Sequence, residues 1–329
     1  MANIKLTLAI GPYDHVRDLV DGTVRADGID LIALNLPIEE IFYRFKRFRE
    51  WDVSEMAFGK YVSLRSQNDR SITAIPVFPS RVFRHSSIYV RDNGKIKIPR
   101  DLKHKRIGVP EWAQTAAIYT RGYLMHEVGI ALKDIEWHQA GVNETGRGEK
   151  VKLRLPKGVR CTGHLDRSLN DMLLAGDLDA ALSARPLRAA LEPRSRVKRL
   201  FPDALEVEQA YYRKTGIFPI MHMVALKSEV LDRYPWVAMN LYKAFEQAKQ
   251  RSLERMLDVT ASYYPLAWTV DHARQSQALF GGEIWPYGIE ANRVTLEAFL
   301  KFAYEQGVCH RKLKPEELFP VEVQSAYRV

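Results

Sequence analysis

Apolar positions along the chain recur with two periods. Ile4, Leu6, Leu8 and Ile10 alternate with Lys5, Thr7 and Ala9, which predicts a strand over 4–10. Gly11-Pro12-Tyr13-Asp14-His15 breaks that strand and starts a helix to about Asp21. A second strand is predicted over 29–36. Ile41, Phe42, Phe45 and Phe48 then repeat at helical spacing, so 38–48 reads as an amphipathic helix with these aromatic residues in the core. A strand over 51–58, a helix from Gly59 to near Gln67, and strand segments at 72–77 and 87–90 follow.

The pattern restarts further on. Residues 106–109 read as a strand, Pro110 to Thr115 as a loop, and the stretch to about Val128 as a helix. Another strand covers 134–139. The charged segment 141–163 has little periodicity and predicts a long loop with a hairpin across 151–155. A helix over 169–174 stops at Gly176, and a buried strand spans 177–184. In both halves a helix leads to an aspartate, Asp52 or Asp179, and then to a strand ending in small or polar residues. Such alternation predicts two open α/β lobes whose strand C-termini and helix N-termini face a shared cleft, where ligands bind.

The polar stretch 99–105 reads as the first crossing between lobes, and 214–224 as the second, leading into a strand that carries His222. The expected division is therefore 1–100 with 223–329 as one lobe and 101–222 as the other. Helices over 230–257 and 293–306 complete the first lobe, the latter ended by Gly307.

A length of 329 residues exceeds what one core usually holds, in keeping with two lobes. The formal charge of +9 thickens at 44–49, 147–167 and 194–199. Without a nucleic-acid motif or a basic–aromatic run, that excess points to a small anion drawn into a cleft. No apolar run is long enough to span a bilayer, and the alternating start is unlike a secretory signal, so a cytoplasmic location is expected. Cys161 and Cys309 suggest neither a disulfide framework nor zinc spacing.

Candidate chemistry concentrates in Phe78-Pro-Ser-Arg-Val-Phe-Arg-His-Ser86, where Arg81, Arg84 and His85 fall within five residues. One reading is a carboxylate clamp, since a guanidinium donates two parallel hydrogen bonds. The other is a solvated basic loop. Gln114 and Thr115 open a helix, where free backbone N–H groups suit an anion, although Thr115 serves equally as an N-cap.

The order of strands and the two crossings resembles the type 2 periplasmic-binding-protein fold. Within it, the chain resembles the 4,5-dihydroxyphthalate decarboxylase family. The blocks that carry this are Asp52-Val-Ser-Glu-Met, Phe78 to Ser86, Gly108-Val-Pro-Glu-Trp through Thr115-Ala-Ala to Arg121-Gly122, Gly216-Ile-Phe-Pro-Ile-Met-His222, and Trp285-Pro-Tyr-Gly with Asn292-Arg293. The resemblance implies cofactor-independent decarboxylation of a hydroxylated aromatic dicarboxylate, 4,5-dihydroxyphthalate to protocatechuate and CO2. The alternative is a non-catalytic binding protein for a small anionic metabolite.

That chemistry assigns expected roles. Arg81 and Arg84 hold the carboxylate that stays, with Arg185 joining from the second lobe. His222 or His85 donates the proton to carbon. Glu111, or else Glu55, holds or deprotonates a hydroxyl. Phe83 and Trp112 stack on the ring, and Ser54, Thr115 and Phe218 complete the contacts. Each has a plain structural alternative: His222 as a core histidine, Glu111 as a helix-dipole partner, Glu55 paired with an arginine. His85, His222 and Glu111 lack metal-motif spacing, so neither a metal nor a cofactor is expected. The partner is the small diacid, with no nucleic acid or membrane; a homo-oligomer is left open.

Overall fold

The computed structural model describes residues 3–325. The first sheet opens with β1 (Ile4–Ala9), β2 (Ile29–Leu34), β3 (Val53–Ala57) and β4 (Ile72–Arg81). The second contains β5 (Ile88–Arg91), β6 (Arg106–Val109), β7 (Glu136–Gly141), β8 (Cys161–Ser168), β9 (Ala180–Leu182) and β10 (Val197–Arg199). The chain then returns through β11 (Ile220–Lys227), which inserts between β3 and β4 and runs antiparallel to both. The spatial orders are β2-β1-β3-β11-β4 and β10-β5-β9-β6-β7-β8. Met221, Met223, Val224, Ala225 and Leu226 are all buried, the continuous apolar run of a strand covered on both faces.

These sheets divide the chain differently from boundaries at 100/101 and 222/223. Strand β5 pairs with β9 and β10 in the second sheet, whereas β11 belongs to the first. The crossings therefore run over 82–87 and 200–219. The polar stretch 99–105 is instead a surface turn within the second lobe, and its exposure accounts for its composition.

The two matched aspartates do the same work in both sheets. Asp52 accepts from the Thr7 backbone N–H at the β1–β3 pair (2.9 Å), and Asp179 from that of Arg106 at the β6–β9 pair (3.1 Å). Each ties a neighbouring parallel strand to the end of a helix–strand connection.

The helices are α1 (Asp14–Val20), α2 (Ile38–Phe48), α3 (Phe58–Ser66), α4 (Thr115–His126), α5 (Leu169–Ala175), α6 (Ala204–Thr215), α7 (Ser228–Arg233), α8 (Val237–Leu257), α9 (Thr269–Phe280) and α10 (Arg293–Glu305). Helix α10 braces the second lobe through α4. A Cβ on Gly122 would stand 2.4 Å from the Phe302 ring, so only glycine permits this approach. The Arg121 guanidinium lies 3.9 Å from the Trp112 ring centroid and donates from Nε to Gln306 Oε1 at 2.8 Å. The segment 151–155 forms no hairpin. Its backbone bonds the end of α10 instead, Arg154 N–H to Gly307 O at 2.8 Å. Among the described residues, no helix is long and apolar enough to cross a membrane.

Candidate active site

Helices α2 and α3 of the first lobe meet the loop after β7 of the second around a cavity of about 440 Å3. Five cationic side chains line it, Lys46, Arg47, Lys60, Arg147 and Lys150, together with Glu39, Phe42 and Tyr43. Two ion pairs and a hydrogen bond close it from the sides: Glu39 lies 3.6 Å from Arg147 and 3.2 Å from Arg185, and Lys46 Nζ donates to the Lys150 carbonyl. Glu111 is wholly buried beside this cavity, with Lys60 at 2.9 Å, Arg147 at 2.8 Å and Lys150 at 3.5 Å. Burial pushes its carboxyl up, but the three cations outweigh that and hold it below the ordinary glutamate range. Burial also pushes the Lys60 ammonium down, helped by Lys150 and Arg147 and opposed by Glu111.

A second group adjoins the cavity. Strands β3 and β11 pair so that Glu55 and His222 meet, with Glu55 Oε1 accepting from His222 Nδ1 at 2.6 Å. The same oxygen accepts from Tyr13 Oη at 2.6 Å, and Oε2 accepts from the Gly11 backbone N–H at 2.9 Å. Gly11 must lack a side chain here, because a Cβ would stand 2.8 Å from the Tyr13 ring and 3.2 Å from Glu55 Oε2. Burial, and then the Glu55 charge, push the Tyr13 phenol far above its usual value, so Tyr13 keeps its proton and donates. A carboxylate on Nδ1 fixes the imidazole tautomer and leaves Nε2 as the exchanging nitrogen. Among the described residues Nε2 makes no hydrogen bond, and 19% of the side chain is exposed. Phe42 joins the two groups: it lines the cavity and sets its ring 4.8 Å from that of His222, edge to face.

Several residues expected in the site lie elsewhere. The Arg81 guanidinium is buried and bonded to the carbonyls of Pro286 (3.1 Å) and Phe218 (3.0 Å) and to Asn292 Oδ1 (2.6 Å). Arg84 turns its Nε to the Met221 sulfur at 3.2 Å. The expected clamp is thus replaced by a brace at the crossing, because Arg81 finds backbone and side-chain partners inside the protein and Arg84 turns to the Met221 sulfur. Phe83 stacks on Phe218 at 5.1 Å, and Phe218 carries Arg81 at 4.4 Å. Both rings pack around that brace. His85 sits in a cage of Tyr123, Tyr211 and Phe201, its ring nitrogens without hydrogen bonds. Trp112 is buried under Arg121 and donates to the Gln306 carbonyl. Thr115 Oγ1 accepts from the Gly59 backbone N–H at 3.0 Å, joining α3 to α4. Ser54 is buried with its hydroxyl on the Glu55 carbonyl. Among the described residues no cluster of three or more metal-ligating side chains occurs.

His222, Glu55, Glu111 and Arg185 remain at or beside the cleft. The sequence reading missed Tyr13, Lys46, Lys60, Arg147, Lys150 and Phe42, the last assigned to the core. Ile41 and Phe45 are the buried residues of that helix, whereas Phe48 is 61% exposed. The available signal was charge: the basic thickenings at 44–49 and 147–167 converge on this cavity.

Over 327 residues the chain is 36% identical to a 4,5-dihydroxyphthalate decarboxylase of Comamonas testosteroni, covering 99% of each. The chain belongs to the 4,5-dihydroxyphthalate decarboxylase family. A second 4,5-dihydroxyphthalate decarboxylase, from Pseudomonas putida, is 37% identical over 214 residues, 65% of this chain and 83% of the relative. No family model matches the chain. Among solved structures, this family member is similar to the periplasmic aliphatic sulphonate binding protein SsuA from Escherichia coli, with a TM-score of 0.57 at 10% identity over 98% of this chain and 99% of that one. The alkanesulfonate-binding protein SsuA from Xanthomonas axonopodis pv. citri gives 0.52 at 11% identity over 97% and 99%. These likenesses show the two-lobed periplasmic-binding-protein-like fold.

Proposed function

We propose that the protein decarboxylates 4,5-dihydroxyphthalate to protocatechuate and CO2 without a cofactor. The observation that carries this reading is the Glu55–His222 pair set, through Phe42, against a cavity lined by five cations. Two carboxylates on one ring need cations and an apolar wall, and both are present. Arg147 suits the carboxylate that stays, because its planar fork matches that group. Family membership supports the choice of substrate.

Each carboxylate of 4,5-dihydroxyphthalate is para to a hydroxyl. Ionising that hydroxyl moves electron density to the ring carbon bearing the departing carboxylate. Protonated His222 delivers its Nε2 proton to that carbon. The carbon–carboxylate bond then breaks, its electron pair returns to the ring, CO2 leaves and aromaticity is restored. One proton is consumed overall, and solvent reprotonates the imidazole. The ring itself serves as the electron sink. Such chemistry requires neither nucleic acid nor membrane.

Incubation with 4,5-dihydroxyphthalate, with and without a chelator, tests this by chromatography of the products. Equal amounts of protocatechuate and CO2 are expected. His222→Ala is expected to lower kcat by about 10²–10⁴-fold while the diacid still binds. A wild-type protein that binds the diacid and forms no product would be a receptor, and the proposal would fail.

A further inference from the structure

We infer that Lys60 is the cation that meets the para hydroxyl, holds it as a phenolate, and returns its proton when the ring rearomatises. The inference rests on the decarboxylase reading for its substrate and on the cavity for its choice of residue. Ionising the hydroxyl needs a positive group that can also carry a proton. Arg47 and Arg147 cannot give one up. Lys150 is 42% exposed, and Lys46 Nζ is engaged by the Lys150 carbonyl. Lys60 remains: its side chain is 11% exposed, it lines the cavity, and Glu111 Oε2 fixes its Nζ at 2.9 Å.

The surroundings make Lys60 a proton carrier. The charged groups sharing its space are Glu39, Lys46 and Arg47 from α2, Glu111 from the loop after β6, and Arg147 and Lys150 from the loop after β7. Burial lowers the pKa of its ammonium, Glu111 opposes that, and Lys150 and Arg147 add to it, with a net shift downward. In its free-amine form Lys60 accepts the phenol proton and becomes an ammonium beside the phenolate it creates. When CO2 has left, the same proton returns to the oxygen and the lysine resets. The proton delivered to carbon comes separately, through His222. Glu111, held anionic by three cations, is then a positioning residue for Lys60 rather than a base. The position of Lys60 in the first turn of α3 adds the positive end of a helix dipole to the phenolate site.

The test reads ionisation of the bound ligand in a His222→Ala background, where 4,5-dihydroxyphthalate turns over about 10²–10⁴-fold more slowly and spectra are taken before it is consumed. Ultraviolet difference spectra against pH are expected to show the bound ring ionising at least one pH unit lower than in free solution, about a tenfold shift. Adding Lys60→Gln is expected to return the midpoint to that of the free ligand, whereas Lys60→Arg keeps the charge and the ionisation. In the otherwise wild-type protein, Lys60→Gln is expected to lower kcat by about 10²–10³-fold and Lys60→Arg by roughly tenfold or more. Affinity for phthalate, which has no hydroxyl, should stay within about threefold in both, which also reports an intact fold. An unchanged ionisation midpoint in Lys60→Gln would overturn the assignment, as would loss of phthalate affinity, which would place Lys60 on a carboxylate. Lowered ionisation without CO2 from the wild type would sink the decarboxylase reading and leave Lys60 standing; CO2 release with ionisation indifferent to Lys60 would do the reverse.

Discussion

His85 shows how a residue promising in sequence acquires a different role in the fold. Its neighbours are rings, at centroid distances of 4.5 Å (Tyr123), 4.9 Å (Tyr211) and 5.9 Å (Phe201), and the nearest carboxylate, Glu208, stands 3.9 Å from Nδ1. Burial holds its imidazole down to about 4, and burial does the same to His15. Both are neutral in the folded protein near pH 6, whereas the unfolded chain binds protons there. Stability is therefore full above about pH 6.5 and is lost as pH falls toward 4, by up to about 1.4 kcal/mol per pH unit for each histidine. Urea midpoints measured across that range should fall with pH, and His85→Phe should flatten the slope. Arg81 and Arg84 make the related point. Residue types announced three polar groups within five residues but not the direction of each. For Arg81 that direction was set by the carbonyls of Pro286 and Phe218, and for Arg84 by the Met221 sulfur, all distant in sequence and placed only by the fold.

Elements were legible in proportion to how much they bury. Strands β1, β3 and β6 and helices α2 and α10 announced themselves because buried positions repeat within them. Strand β8 did not: it is an edge strand with seven of its eight positions at least partly exposed, so no apolar alternation marks it. Strand β10 is three residues long. Helices α6 and α9 were missed for the same reason, since each buries fully only one residue, Tyr211 or Ala273. A tight contact next to Lys60 lies between α3 and the loop before α4, where a Cβ on Gly59 would stand 2.6 Å from the Ala113 carbonyl oxygen. That neighbour is backbone and cannot step aside. Gly59→Ala should cost about 1–3 kcal/mol in a denaturant melt. It should also lower kcat more than the stability loss explains, because Lys60 moves with its helix.

At the scale of the whole molecule, the candidate site is a seam. Lobe one supplies Glu55, His222, Phe42 and Lys60, and lobe two supplies Glu111, Arg147, Lys150 and Arg185. The two-lobed architecture could be read from alternating elements, and the site could not, because its charges come from segments about a hundred residues apart that meet only when the lobes do. Glu39 now spans that seam, paired with Arg147 and Arg185. A diacid entering the cavity competes with this half-exposed carboxylate for the same guanidiniums. Glu39→Gln should therefore strengthen phthalate binding by up to about fivefold in calorimetry at low salt, with the gain shrinking as salt screens it.

The insertion of β11 between β3 and β4 also bears on how the protein is made. As the chain leaves the ribosome, β1 to β4 emerge early, but the strand that joins β3 to β4 is encoded far downstream. At about 5–20 residues per second, the interval between Arg81 and Ile220 lasts roughly 7–28 s. For that time two apolar strand edges stand open in the nascent chain, and the half-built sheet is a natural client for a chaperone.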